Sequence, residues 1–200
     1  TITPNGQAKV LTSESILSAS FNIDGSVFEQ LQAPIVTYIY NEDTGVIEEA
    51  REMEVIAGEE IARHGTMMTR DVFGNWTENK TINEYQLQRS GQVKVLTSEN
   101  ILINAYNVDG STLEQTQAQI ITYYYNPTTG MIEGANELEP PGELTHHGRI
   151  KTTDLFGNWT EYETVNTYEL QPNGQVRVIT SKSVLIDSYN LDGTSLAQPQ

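Results

Sequence analysis

The chain has 200 residues, 27 of them acidic and 11 basic, which gives a formal net charge of −16, and it contains no cysteine. This charge opposes binding to a polyanion such as DNA, and the lack of cysteine excludes disulfides and thiolate metal sites. No stretch approaches the roughly 20 consecutive apolar residues of a membrane-spanning helix, and no basic and apolar leader opens the chain. We therefore expect no nucleic-acid partner and no membrane span.

The sequence repeats itself along its length. Residues 5–17 return at 90–102 and again at 173–185, and residues 63–78 match 146–161 after a shift of 83 positions. Such self-similarity predicts neighbouring units that share one core. We predict repeat unit 1 over 5–89, repeat unit 2 over 90–172 and a partial unit 3 over 173–200, with 1–4 as the end of a preceding unit. This division favours a segment of a longer array, and the alternative is a short capped protein.

Glycines in turn-like settings divide each long unit, of about 83 to 85 residues, into four hairpin-sized segments. Asp-Gly, Asn-Gly and Thr-Gly pairs are typical of turns in which the backbone needs a positive φ. The glycines are Gly6, Gly25, Gly45, Gly74, Gly91, Gly110, Gly130, Gly157, Gly174 and Gly193. The fold class predicted is all-β, built from tandem antiparallel β-hairpin repeats.

Between these turns, apolar residues alternate with polar ones, which indicates strands rather than helices. The segments Ile35–Tyr40 and Ile120–Tyr125 are the richest in β-branched and aromatic residues, so we predict that both are central strands. Glu48 to Ala62 has a helix-like composition, but its counterpart at 136–144 contains Pro140, Pro141 and Gly142. We therefore predict that both are solvated surface loops, or at most a short helical turn.

The charged and polar motifs each have a structural and a functional interpretation. Asn22 to Ser26, Asn107 to Ser111 and Asn190 to Thr194 resemble half of a calcium loop, but a turn whose Asn and Asp side chains cap their own backbone is favoured because too few oxygens are present. The acidic run from Glu42 to Glu60, repeated more sparsely from Glu133 to Glu143, is interpreted as a solvated face, with a divalent ion or a basic partner as the alternative. We predict no metal site and no cofactor.

His64 and His147 precede equivalent glycines and are predicted to lie at strand entrances and to be hydrogen-bonded locally. No catalytic triad or carboxylate pair follows from the spacing, and we predict no enzymatic activity.

Trp76 and Trp159, the only tryptophans, both lie in a Gly-Asn-Trp-Thr-Glu motif. They pack between layers, or they stack on sugar rings together with Tyr123 and Tyr125, which are the binding residues predicted here. Asn75, Asn79 and Asn158 head glycosylation sequons that matter if the producing cell attaches such glycans.

Aligned within one unit, the segments Tyr106–Leu113, Tyr125–Ile132, Asp154–Glu161 and Tyr168–Val176 each have an aromatic or acidic residue, a short gap, a glycine and an apolar residue. The chain therefore resembles the RHS or YD repeat family, most closely in Asp-Leu-Phe-Gly-Asn-Trp-Thr-Glu. The resemblance implies a large extracellular or secreted β-structure in which hairpins wind into a shell or barrel. No segment matches the family's self-cleavage region, so the resemblance implies no catalytic residue.

We conclude that the sequence predicts a non-enzymatic structural scaffold, extracellular or at the cell surface, that belongs to a larger shell, surface protein or self-assembling fibre. Its partners would be other copies of itself or flanking repeats. The alternative is a carbohydrate- or protein-binding repeat module of the adhesin or lectin kind.

Overall fold

The computed structural model describes residues 8–18, 20, 22–139, 144–194 and 196, with the backbone alone for Glu139. This described part of the chain consists of β-strands, turns and connecting segments without a helix, and each strand pairing in it is antiparallel. The prediction of an all-β fold is confirmed. Thr1 to Gly6, the turn at Gly6, the prolines Pro140 and Pro141, Gly142 and Glu143 lie outside the described residues.

Sixteen strands are present in the described residues. The first half contains β1 (Thr12–Glu14), β2 (Val27–Gln32), β3 (Ile35–Tyr40), β4 (Ile47–Ile56), β5 (Glu59–Ala62), β6 (Gly65–Arg70), β7 (Trp76–Leu87) and β8 (Val93–Tyr106). The second half contains β9 (Thr112–Gln117), β10 (Gln119–Tyr125), β11 (Ile132–Asn136), β12 (Leu138–Glu139), β13 (Leu144–Thr145), β14 (Gly148–Thr153), β15 (Trp159–Leu170) and β16 (Val176–Tyr189).

The strands form three larger sheets and one short hairpin. Their orders are β1-β3-β4-β5, then β11-β10-β8-β7-β6-β2, then β16-β15-β14-β9, with β12-β13 as the hairpin. The segments Ile35–Tyr40 and Ile120–Tyr125, now β3 and β10, each pair on both sides, so their prediction as central strands is confirmed.

The two halves of the chain pair their strands in the same order. Strand β2 lies beside β6, which pairs with β7 and then β8, and strand β9 likewise lies beside β14, which pairs with β15 and then β16. The registers agree as well, since Glu84 faces Thr97 between β7 and β8 and Thr167 faces Thr180 between β15 and β16. The β10 strand of the second half joins the first-half sheet through β8.

The segment from Glu48 to Ala62 is a β-hairpin, so its prediction as a loop or helical turn was wrong. Strands β4 and β5 pair from Met53 with Ala62 to Ile56 with Glu59. The connection is a two-residue turn in which Ala57 and Gly58 both have positive φ, 54° and 89°. Pairing between strands overrides the helix-like composition here, and an Ala-Gly turn lacks the usual Asn-Gly or Asp-Gly signature.

The predicted turn glycines have the positive φ that was expected of them. Every one of them within the described residues, from Gly25 to Gly193, has φ between 67° and 92°. The turn 107–111 connects β8 to β9, however, and these strands belong to different sheets, so it is a corner between sheets rather than a hairpin.

Five turns lie along one edge of the molecule and contact each other in sequence; we call them the turn ladder (22–26, 71–75, 107–111, 154–158 and 190–194). The side-chain amide oxygen of Asn75 accepts a hydrogen bond from the Val108 backbone N–H at 2.9 Å, and that of Asn158 accepts one from the Leu191 N–H at the same distance. Leu155 lies so close over Gly110 that an added methyl group would come within 2.6 Å of its Cδ2. The ladder therefore joins turns from successive sheets.

The apolar core of the described residues is thin. Ala50 and Met53, both on β4, are the hydrophobic residues exposed by less than a tenth. The Val, Ile and Tyr side chains of the strands are either half-buried or exposed. Polar residues fill much of the deeply buried space, and two of them are glutamates, Glu52 and Glu137.

Candidate functional site

Residues from three elements form the first buried polar cluster. Glu52 lies on β4, His64 immediately precedes β6, and Asn83 and Tyr85 lie on β7. Because β4 and β7 belong to different sheets, Glu52 spans the gap between them. We call this cluster the first clasp.

The Glu52 side chain is only 1% exposed, and each of its carboxylate oxygens accepts hydrogen bonds. Its Oε2 accepts from His64 Nδ1 at 2.8 Å and from the Asn83 backbone N–H at 3.2 Å. Its Oε1 accepts from Asn83 Nδ2 at 2.6 Å and from the Tyr85 hydroxyl at 3.3 Å. Four donors thus compensate the removal of this carboxylate from water.

The second half of the chain contains an equivalent second clasp around Glu137, whose side chain is also 1% exposed. His147 Nδ1 lies 2.5 Å from Oε2, and Asn166 donates through its backbone N–H at 3.3 Å and through Nδ2 at 2.8 Å. The Tyr168 hydroxyl donates to Oε1 at 3.0 Å, and Gln119 adds a donor at 2.5 Å that the first clasp lacks. Glu137 follows β11 and reaches β15, so this clasp also bridges two sheets.

The clasps correct the interpretation of the acidic run as a solvated face. Glu52 and Glu137 are buried, with relative exposures of 5% and 3%. Other members of the run, such as Glu48, Glu59, Glu60 and Glu133, are exposed as predicted. Internal comparison could have revealed the difference, because Glu52, Asn83 and Tyr85 all recur in the second unit whereas Glu49 becomes Gly134.

The electrostatics of the clasps keep both tyrosines protonated. Burial raises the pKa of Tyr85, and the charge and hydrogen bond of Glu52 raise it further. Burial raises the pKa of Tyr168 in the same way, followed by the charge and hydrogen bond of Glu137. Both phenols therefore act as hydrogen-bond donors and are poor candidates for a phenolate nucleophile.

His64 and His147 lie at strand entrances and are hydrogen-bonded, as predicted, although their partners are glutamates rather than local backbone groups. Because a carboxylate only accepts hydrogen bonds, Nδ1 must carry the proton in each histidine.

The first clasp borders an open cleft of about 570 Å³. Its lining includes Arg51, Glu60 and Ile82 but no serine, threonine, cysteine or lysine. A glutamate and a histidine that it orients are two members of a catalytic triad, yet the described lining offers no nucleophile for them to activate. In this arrangement the carboxylate of Glu52 and its hydrogen-bond donors join two sheets.

The two tryptophans occupy equivalent positions, at the first residues of β7 and β15. Trp76 stacks on Tyr106 with ring centroids 6.3 Å apart, and Trp159 stacks on Tyr189 at 6.5 Å. Lys151 Nζ also lies 4.4 Å from the Trp159 ring centroid, so the ammonium group covers part of one indole face. Both indoles are half-buried, so part of each ring remains accessible.

The structure places Tyr123 and Tyr125 on β10, away from the Trp–Tyr stacks. Both are half-buried, and the Tyr125 hydroxyl donates to the Val95 carbonyl at 2.8 Å. Burial raises the pKa of Tyr123 and, together with the neighbouring Tyr123, that of Tyr125. The ring contacts found among the described residues do not join these tyrosines to the tryptophans.

Two of the three sequon asparagines have structural roles in the turn ladder. Asn75 Nδ2 donates to Asp71 Oδ2 at 2.7 Å, and Asn158 Nδ2 donates to Asp154 Oδ2 at 2.8 Å. Asn79 makes only a longer bond, from Nδ2 to Thr77 Oγ1 at 3.3 Å. A glycan attached to Asn75 or Asn158 would replace one of the two hydrogens on the Nδ2 that donates to the aspartate, and would leave a single hydrogen for that bond.

The Asn-x-Asp-Gly turns cap their own backbone, as the preferred interpretation predicts. Asp24 Oδ1 accepts from the Ser26 N–H and hydroxyl at 2.9 and 2.8 Å, and these bonds lower the pKa of Asp24. Asp109 and Asp192 are held in the same way. Across the described ranges, no group of three or more acidic, histidine or cysteine residues is arranged to hold a metal ion.

Comparison with known proteins finds no matching family model, no similar curated protein and no similar solved structure. The resemblance to RHS or YD repeats thus remains a prediction from the sequence. Within the described part of the chain, no helix is long and apolar enough to cross a membrane.

Proposed function

We propose that this chain is a non-enzymatic structural scaffold, a tandem array of antiparallel hairpins that forms a segment of a larger extracellular or cell-surface assembly. The observation that carries the proposal is the pair of clasps. In both halves, the most deeply buried charged side chain reaches from one sheet and accepts hydrogen bonds from residues of the next. Buried polar networks of this kind rigidify a fold and fix its geometry.

The turn ladder supports the same function. Its inter-turn bonds, such as that from Val108 to Asn75, connect successive sheets along one edge. A protein that joins its units through both a buried clasp and a surface ladder resists bending between those units. The RHS or YD resemblance and the cysteine-free, acidic composition are consistent with an extracellular location.

Amide hydrogen exchange tests whether the clasps serve rigidity. The backbone amides of Asn83 and Asn166, which donate to the clasp carboxylates, should rank among the slowest to exchange. A site that opens to admit a substrate would exchange these amides rapidly, and such a result would contradict the scaffold proposal.

A carbohydrate-binding module is the alternative, and the half-buried indoles are the feature that permits it. Titrating a glycan panel while recording tryptophan fluorescence separates the two functions. The scaffold proposal predicts no saturable response. A saturable response that disappears in Trp76→Phe or Trp159→Phe would establish the binding module instead.

A further inference from the structure

The side chains at the tips of the turn ladder follow a regular pattern. The second residue of every turn is aliphatic, and the third residue alternates along the ladder between aspartate and phenylalanine. In ladder order, the third residues are Asp24, Phe73, Asp109, Phe156 and Asp192. The ladder thus presents carboxylates and aromatic rings by turns along one edge of the molecule.

The three central turns, 71–75, 107–111 and 154–158, lie wholly within the described residues and display an apolar row. Phe73 and Phe156 are 78% and 77% exposed. The aliphatic residues beside them are exposed as well, and Leu155 lies against the glycine of the preceding turn. A contiguous exposed apolar surface of this kind is typical of an interaction site.

The geometry of the turns does not account for the two phenylalanine rings. The Phe73 backbone N–H donates to Asp71 Oδ1 at 2.9 Å, and that of Phe156 donates to Asp154 Oδ1 at 2.8 Å, but neither bond involves the ring. The turn between them carries Asp109 at the same position and still has a glycine with φ of 77°. Neither ring takes part in the aromatic and cation contacts found among the described residues. Both rings are therefore free to contact a partner.

Asp109 places a fixed negative charge between these rings. Its Oδ1 accepts hydrogen bonds from the Ser111 hydroxyl at 2.7 Å and from the Ser111 N–H at 2.9 Å. These bonds lower the pKa of Asp109, so the carboxylate stays charged in mild acid. Within the described chain its Oδ2 makes no hydrogen bond to another residue, which leaves one oriented acceptor for a basic group.

We propose that Phe73, Asp109 and Phe156 form a docking surface for a segment of another protein in which apolar and basic side chains alternate. The apolar side chains of the segment pack against the two rings, and a lysine or arginine pairs with Asp109 Oδ2. An arginine can also stack on a phenyl ring. This surface adds a class of partner to the proposed scaffold function.

Charge selects this partner over the others that an apolar row could hold. The net charge of −16 attracts a cationic segment and repels a second copy of the chain. It also repels the anionic headgroups of a membrane surface. A basic and apolar protein segment satisfies both the rings and the carboxylate.

Fluorescence anisotropy of a labelled peptide tests the proposal. The probe is a fluorescein-labelled peptide of about twelve residues in which leucine and arginine alternate, long enough when extended to pass over the three turns. A second peptide, in which serine replaces each leucine, keeps the charge and removes the apolar groups. The leucine peptide should bind the wild-type chain at least about tenfold more tightly than the serine peptide.

The substitution Phe73→Ser/Phe156→Ser leaves the net charge unchanged and should weaken binding of the leucine peptide at least about tenfold. Val46→Ser/Met131→Ser is the matched control, since these are also exposed apolar residues of turns, at the opposite ends of the strands. Binding to the control should stay within about twofold of the wild type. Urea unfolding confirms that each variant is folded.

The carboxylate is tested separately. Asp109→Asn keeps an acceptor oxygen for Ser111 and removes the charge, so it should weaken binding about threefold at low salt and less at high salt. Asp43→Asn makes the same change of charge at an exposed position in the turn 41–46 and should have a smaller effect.

Three results would overturn the proposal. The first is a wild-type chain that does not bind the leucine peptide up to about 1 mM. The second is equal binding of the two peptides, or an equal loss in Val46→Ser/Met131→Ser, because attraction to the acidic surface in general would then explain the binding. The third is binding to neutral phosphatidylcholine vesicles that requires Phe73 and Phe156, without binding of the peptide, which would assign the row to a lipid surface. The exchange rates of the clasp amides test the scaffold function independently of all three.

Discussion

Glu52 and Glu137 show how a residue that is usually solvated can hold a thin fold together. Each carboxylate lies between two sheets and accepts hydrogen bonds from a histidine, an asparagine and a tyrosine. With Ala50 and Met53 as the buried apolar residues in the described chain, these polar bonds have a large share in fixing the sheets relative to each other.

Replacing Glu52 by Gln should destabilise the protein by about 2 to 4 kcal/mol. The amide nitrogen of the glutamine would face hydrogen-bond donors, so at least one buried partner would lose its acceptor. Urea unfolding monitored by circular dichroism measures the change.

Glu54→Gln is the matched control on the same strand. Glu54 pairs with Arg63, and both side chains are about one-third exposed. Loss of this partly exposed pair should lower the free energy of unfolding by less than about 1 kcal/mol. Equal effects of the two substitutions would contradict the role assigned to the clasp.

The clasp tyrosines predict a loss of stability in alkali. Their pKa values are raised in the folded protein above the ordinary value of 10.0. Below pH 10 both phenols are protonated in the folded and unfolded states, so their contribution is fully present. Above pH 10 the unfolded chain releases these protons first, so the free energy of unfolding falls as pH rises.

Unfolding measured between pH 8 and 11.5 should show this fall, and Tyr85→Phe/Tyr168→Phe should make it shallower. Tyr124→Phe, at an exposed ring on β10, is the control. A pH dependence unchanged in the double variant would show that the clasp phenols are not its source.

At the scale of elements, contacts within the turn ladder restrict substitution at Gly110 more than its positive φ alone would. Gly110 and Gly174 have nearly the same φ, 77° and 78°, but Leu155 lies over Gly110 whereas nothing lies within 4 Å of a methyl group placed at Gly174. Alanine at either position is destabilising because its Cβ is strained at positive φ. In Gly110→Ala the side chain of Leu155 must also shift to make room for the new methyl group.

Gly110→Ala should therefore lower the free energy of unfolding by about 1 kcal/mol more than Gly174→Ala. In a Leu155→Ala background the excess should vanish, since the obstructing side chain is gone. An excess that persists in the double variant would mean that Leu155 does not stack on this turn.

The elements that the sequence could predict are those set by local chemistry. The turn glycines could be predicted because few other residues adopt a positive φ. The strands Ile35–Tyr40 and Ile120–Tyr125 could be predicted from their β-branched and aromatic residues. Both signals are contained in a few neighbouring residues. The hairpin from Glu48 to Ala62 does not, because its glutamates and alanines favour a helix and only pairing with β3 and with β5 imposes a strand. The clasps were missed for the same reason, since they join residues about 30 positions apart.

At the scale of the whole molecule, the two halves of the chain are joined to each other and do not form independent domains. Strand β10 of the second half completes the first-half sheet, and the second clasp then joins that sheet to β15. The turn ladder crosses the same boundary where the Val108 N–H donates to the side chain of Asn75. A destabilising substitution in one half should therefore also lower the stability of the other half.

The most direct test is urea unfolding of Glu137→Gln, followed by Trp76 fluorescence in a Trp159→Phe background and by Trp159 fluorescence in a Trp76→Phe background. The chain has only these two tryptophans, so each background reports on one half. A continuous scaffold predicts that Glu137→Gln lowers the unfolding midpoint at both tryptophans. A midpoint that falls at Trp159 and stays unchanged at Trp76 would contradict it.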